Sequence, residues 1–121
     1  MFYLAAALIL LVGIAHSYLG ERYILIRLFR KDNLPKLFGG TQFTKATLRF
    51  AWHITTIAWL GLAVVLLYLA GEQITKQIVG NIIGLTFLVH FIVAIVASKG
   101  KHLSWVIFLL ISLATLYASN T

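Results

Sequence analysis

Four stretches of the chain are almost unbroken in their apolarity: Met1–Leu19, Phe50–Ala70, Ile78–Ala97 and Leu103–Ala118. A hydrocarbon layer about 30 Å thick is crossed by about 20 helical residues, with about 17–25 as the working range. The first three stretches fit, and the fourth fits with Lys101 and His102 at its interface. The pattern predicts an all-α integral membrane four-helix bundle with antiparallel up-down topology. It forms a single domain over residues 1–121, with spans at about 2–20, 50–70, 78–98 and 102–119.

The polar breaks between the runs set the connectivity. "AGEQITKQ" and "SKGKH" are short, which makes the second, third and fourth runs sequential antiparallel neighbours. The first break is longer. "GERYILIRLFRKDN" carries the first helix beyond the apolar run, with Ile24, Leu25, Leu28 and Phe29 on one side and Arg22, Arg27, Arg30 and Lys31 on the other. Such an amphipathic segment suits the headgroup region. Pro35 and the pair Gly39–Gly40 end it. "TQFTKATLRF" then reopens a helix from about residue 44, with Thr41 or Thr44 as N-cap.

Composition agrees with a lipid solvent: 61% of the 121 residues are hydrophobic and 11% charged, against about 45–50% and about 25% in soluble domains. Nine of the ten Lys and Arg residues fall in the first and third breaks, and the tenth, Lys76, shares its break with Glu72. Basic loops stay on the cytoplasmic side. The expected orientation in a bacterial inner membrane therefore has both termini periplasmic and the loops Arg22–Arg49 and Lys99–Lys101 cytoplasmic. These charges flank spans, so their expected partners are anionic lipid headgroups, and nucleic acid is not expected. The first run lacks a basic leader and a small-residue cleavage site, and reads as a retained helix.

The chain has no cysteine, which excludes disulfides, thiolate metal sites and cysteine nucleophiles. Di-iron carboxylate sites need several inward glutamates. Only Glu21, Asp32 and Glu72 are present, none of them mid-span. The same lack of a carboxylate within the spans argues against a four-helix drug/proton antiporter. No phosphate-binding glycine loop, helical zinc-protease motif or nucleophile–base pair is legible. Ser17 follows His16, but adjacent helical positions point about 100° apart.

The histidines are the remaining chemistry. With the expected topology His16, His53, His90 and His102 all lie toward the cytoplasmic side, on or beside four different helices. Arg49, His53 and Thr56 share one helical face, Thr86 and His90 are an i, i+4 pair, and Gly13, His16 and Gly20 share another face. Ionisable residues within spans turn inward and pair, and cofactor sites are built from side chains on facing helices. The leading expectation is a histidine site at the cytoplasmic end of the bundle, serving electron transfer or a redox partner. Its ligands would come from His16, His53, His90, His102 and Glu21. The cofactor would be a b-type haem, with Arg49, Arg22, Lys99 or Lys101 near its propionates, or a non-haem transition metal such as iron, zinc or copper(II). Trp52 and Trp105 suit the interfacial aromatic belt, and Trp52 could also stack on a haem or quinone ring. The other reading is a cofactor-free accessory protein, oligomeric, whose histidines tie helices together. The small residues Gly13, Gly20, Gly61, Ala63, Gly80 and Gly84 fit close helix packing under either reading.

The pieces "HSYLGER", "LPKLFGG" and "TLRFAWHITTIAW" resemble a group of small bacterial inner-membrane proteins of about this length, over most of the first 60 residues. The resemblance implies membrane location and carries no activity, cofactor or catalytic residue with it. A looser architectural similarity links the pattern to four-helix membrane cytochromes b. The chain departs from the diheme members of that class, which place histidines toward both membrane faces.

Overall fold

A computed structural model describes the whole chain, Met1–Thr121, and it is all helical. Helix α1 runs from Phe2 to Leu28, α2 from Gln42 to Ala70, α3 from Lys76 to Ser98 and α4 from Ser104 to Asn120. Each apolar run has become one helix, because a backbone in an apolar solvent must satisfy its own hydrogen bonds. Helices α1, α2 and α3 are long and apolar enough to cross a membrane, whereas α4 has 17 residues. Only 11 of the 121 residues are buried, and large apolar side chains from all four helices face outward. In water that exterior would drive aggregation. Such an exterior suits a lipid surrounding.

Close backbone approach occurs only between chain neighbours: α1 with α2, α2 with α3, and α3 with α4. Close packing of the helices thus follows chain order, and the start of α4 also reaches α2, where His102 packs on Phe50. Glycine sets how near the neighbours come. A Cβ at Gly84 would strike Leu116 of α4, and Ser112, fully buried, donates its hydroxyl to the Gly84 carbonyl at 2.8 Å. Gly80 meets Ser119 in the same way. The G-x-x-x-G face thus packs within the chain. At the far end of this pair Gln77 donates to Asn120, which donates to Asn81, at 2.9 and 2.8 Å.

Two boundaries differ from those expected. Helix α1 stops at Leu28, short of the Pro35 breaker, and α2 begins at Gln42 rather than near residue 44. Thr44 caps nothing; its hydroxyl donates to the Pro35 carbonyl at 2.8 Å and ties the loop to α2. Within α1, residues Gly20–Leu25 are wound as a π-helix, with the Ile26 N–H reaching back to the Glu21 carbonyl. That wider turn advances the helix face. Leu25 is buried while its neighbour Ile24 is exposed. Single π turns in α-helices are frequent at functional sites, and this one contains Glu21.

Candidate functional site

The α1–α2 seam concentrates the polar side chains. Gly13, Ser17 and Glu21 follow each other at i, i+4 on α1, and Arg49, His53 and Thr56 do so on α2 at i, i+4, i+7. Facing each other, the two rows form one connected chain. Arg49 Nη2 lies 2.8 Å from Glu21 Oε1, and its Nε donates to Oε2 at 3.2 Å. This two-point grip is the geometry of an arginine on a carboxylate. His53 Nε2 lies 3.1 Å from the same Oε2, and its Nδ1 lies 2.9 Å from Ser17 Oγ. Ser17 Oγ is in turn 2.7 Å from Thr56 Oγ1, which reaches the Gly13 carbonyl at 3.4 Å.

The protons in this chain can be placed by elimination. An ionised carboxylate only accepts, so His53 Nε2 carries a hydrogen and donates to Glu21. In the neutral imidazole Nδ1 is then an acceptor, Ser17 donates to it, and Thr56 donates to Ser17. When the imidazole is protonated the hydroxyls reverse: Nδ1–H donates to Ser17, Ser17 to Thr56, and Thr56 to the Gly13 carbonyl. Both charge states of His53 fill the links from Glu21 to Thr56; only the protonated one also lets Thr56 donate to the Gly13 carbonyl, because in the neutral one its hydrogen goes to Ser17. Ser17, half-buried, is the pivot.

An open cleft of about 630 Å³ adjoins the chain, with Ser17, Glu21 and Thr56 among its lining and Ile14, Tyr18, Arg22 and Ile26 completing it. Its lining is mostly apolar, with the polar row along one edge.

The other histidines go elsewhere. His16 stacks on Trp52 at 4.6 Å with the rings 1° from parallel. The contact is reciprocal: Trp52 Nε1–H donates to the His16 carbonyl at 3.0 Å, and His16 Nε2 contacts the Trp52 carbonyl at 3.3 Å and the Thr55 hydroxyl at 2.9 Å. His90 donates Nδ1–H to the Thr86 carbonyl at 2.6 Å. His102 accepts on Nδ1 from the Ser104 hydroxyl at 2.8 Å and packs edge-on against Phe50 at the start of α4. No three His, Cys, Asp or Glu side chains come together as a metal-binding group. Of the expected set, the fold brings together His53, Glu21 and Arg49. It does not bring His16, His90 and His102 to them, and Arg22 lines the cleft without bonding to the pair.

Ser17 and its partner Thr56 are what sequence reasoning missed. The spacing was readable, since Ser17 lies i−4 from Glu21 and Thr56 lies i+3 from His53. Only the pairing of α1 with α2, in register, turns that spacing into a Ser17–His53 hydrogen bond between helices.

These features define the class: an all-helical protein with three helices long and apolar enough to cross a membrane and a chain of acidic, basic and hydroxyl side chains on one helix–helix seam. No protein family, curated protein or solved structure matches the chain.

Proposed function

We propose that this is a multi-pass protein of the bacterial inner membrane whose working centre is a proton relay formed by Ser17, His53 and Glu21. The observation that carries the reading is the unbroken chain Thr56–Ser17–His53–Glu21, whose links are 2.7, 2.9 and 3.1 Å. A proton released by a group in the cleft passes to Ser17 Oγ as the Ser17 proton moves to His53 Nδ1. The proton on His53 Nε2 moves to Glu21 and out to interfacial water. Against the desolvation of its carboxyl, hydrogen bonds from His53 and Arg49 hold Glu21 below the usual carboxylate range and in its charged form. The i, i+4 spacing sets Glu21 on the same face as Ser17, and Arg22 lines the cleft beside them.

Two other readings are less well supported. Ser17 and His53 have the contact of an acyl-transfer nucleophile and base, with Glu21 as orienting group. But Ser17 sits inside a continuous helix, where its neighbours' N–H groups are engaged by the helix and form no oxyanion hole. A haem or shared metal would draw on His16, His53, His90 and His102, whose side chains this fold engages in four separate settings. An absorption spectrum and elemental analysis of the purified protein test this directly. The relay predicts no Soret band and no metal content that depends on His53. A Soret band or stoichiometric metal lost in His53→Ala would replace the relay with a cofactor site.

The charge asymmetry supports periplasmic termini, with the loops Arg22–Arg49 and Lys99–Lys101 against cytoplasmic anionic headgroups. A reporter active only outside the cytoplasm, fused after Thr121, should be active. Activity from a cytoplasm-only reporter at that position would contradict the orientation.

A further inference from the structure

His90 stands apart from the relay and is the one histidine almost wholly buried, at 6% exposure. It lines a cavity of about 240 Å³ between α2 and α3, walled by apolar side chains that include Leu62 and Ile83. Gly61 brings the two helices close there, since a Cβ at that position would strike the Thr86 side chain. The imidazole is fixed from behind. Nδ1–H donates to the Thr86 carbonyl at 2.6 Å, and the ring lies against Phe87 and Phe108 at 5.3 and 5.5 Å. With Nδ1 protonated, neutral imidazole leaves Nε2 as an acceptor, and Nε2 has no partner in the chain.

The cavity's other polar side chain is Thr86, whose hydroxyl hydrogen is already given to the Ile82 carbonyl at 2.7 Å. No charged side chain lines the space. A ligand therefore finds apolar walls, aromatic rings and acceptors without a donor: the free Nε2 of His90 and the oxygen of the Thr86 hydroxyl. At about 30 Å³ for each water-sized volume, the space suits a single substituted ring. It is below the range of about 300–1,000 Å³ typical of sites for larger ligands.

We infer that this cavity binds a membrane-soluble phenol or hydroquinone ring, whose hydroxyl donates to His90 Nε2 and whose apolar tail leaves between α2 and α3 into the bilayer. An ion is excluded by the walls. A ligand offering only acceptors finds no hydrogen to take. A saturated lipid chain would fill the space and leave Nε2 without a partner, at a cost that a hydroxyl removes.

The test uses the full-length protein in detergent or lipid nanodiscs and a para-fluorinated alkylphenol, with binding followed by fluorine NMR. Its methyl ether, which has the same shape without the donor, is measured in parallel. The phenol should bind saturably at one site per chain, at least tenfold tighter than the ether. His90→Phe should bring the phenol down to the affinity of the ether, leaving the ether unchanged. Leu62→Trp, at the exposed mouth of the cavity, should weaken both probes while keeping His90, which guards against a His90 variant that fails to fold. Equal binding of phenol and ether, an unchanged preference in His90→Phe, or partitioning without saturation would overturn the assignment. Ser17→Ala should not affect either probe, so failure of the relay and failure of this site are separate results.

Discussion

Gly20→Ala should destabilise the protein by about 3 kcal/mol, although alanine in a helix interior normally gains about 1 kcal/mol over glycine. The added Cβ would fall inside contact distance of three indole atoms of Trp52. Trp52 cannot simply turn away. It is stacked on His16 and donates its Nε1–H to the His16 carbonyl at 3.0 Å. Overpacking of this kind costs about 1–3 kcal/mol, and losing the indole hydrogen bond adds about 1 kcal/mol. His53 follows Trp52 directly, so a shift of Trp52 should also disturb the relay. Tryptophan fluorescence during thermal or denaturant unfolding in detergent measures the effect. Gly40→Ala, with no atom within 4 Å of its added carbon, is the control expected to change little. Gly13→Ala, whose added carbon would meet only Thr56 Cγ2 at an ordinary contact distance of 3.4 Å, should be neutral or stabilising by up to about 1 kcal/mol.

Ser17→Ala should cost about 2 kcal/mol and disconnect the relay. One hydroxyl serves both His53 Nδ1 and Thr56 Oγ1. Its removal leaves two half-buried polar atoms without their partner, each worth about 1 kcal/mol net at such a site. His53 would keep only Glu21 and gain freedom at Nδ1. The modification rate of His53 by diethylpyrocarbonate, mapped by mass spectrometry, should therefore rise in Ser17→Ala and stay near wild type in Thr56→Val, which spares the Ser17–His53 link. An equal rise in both variants would show that Ser17 is not the pivot.

The apolar runs were enough to place all four helices, because hydrocarbon thickness and helix rise fix the length of a span without reference to any neighbour. They could not show which faces meet. Helix α1 is apolar nearly all round, with only Gly13, Ser17, Gly20 and Glu21 to mark its seam, so hydropathy carries no face signal there. The runs alone led to the expectation of a shared depth for the histidines, and their separation could not be read from it. Equal depth brings side chains together only if the helices close into a ring. Here each histidine finds its own partner: His16 meets Trp52, His53 meets Glu21, His90 lines the α2–α3 cavity and His102 packs on Phe50. Glu21 was legible as the acidic group within reach of Arg49, alongside a propionate or a lipid phosphate. The π turn that contains it was not, since nothing in "GERYIL" distinguishes an i→i+5 turn from an ordinary helical one.

The central claim is that His53 sits between Ser17 and Glu21 as a proton carrier of defined tautomer. Nitrogen NMR of histidine-labelled protein in lipid bilayers at alkaline pH reads that tautomer at each assigned ring. The relay predicts a neutral His53 with its hydrogen on Nε2 and a hydrogen-bonded, unprotonated Nδ1, and a loss of that preference in Glu21→Ala. A His53 hydrogen on Nδ1, or one tautomer mixture common to wild type and Glu21→Ala, would contradict it.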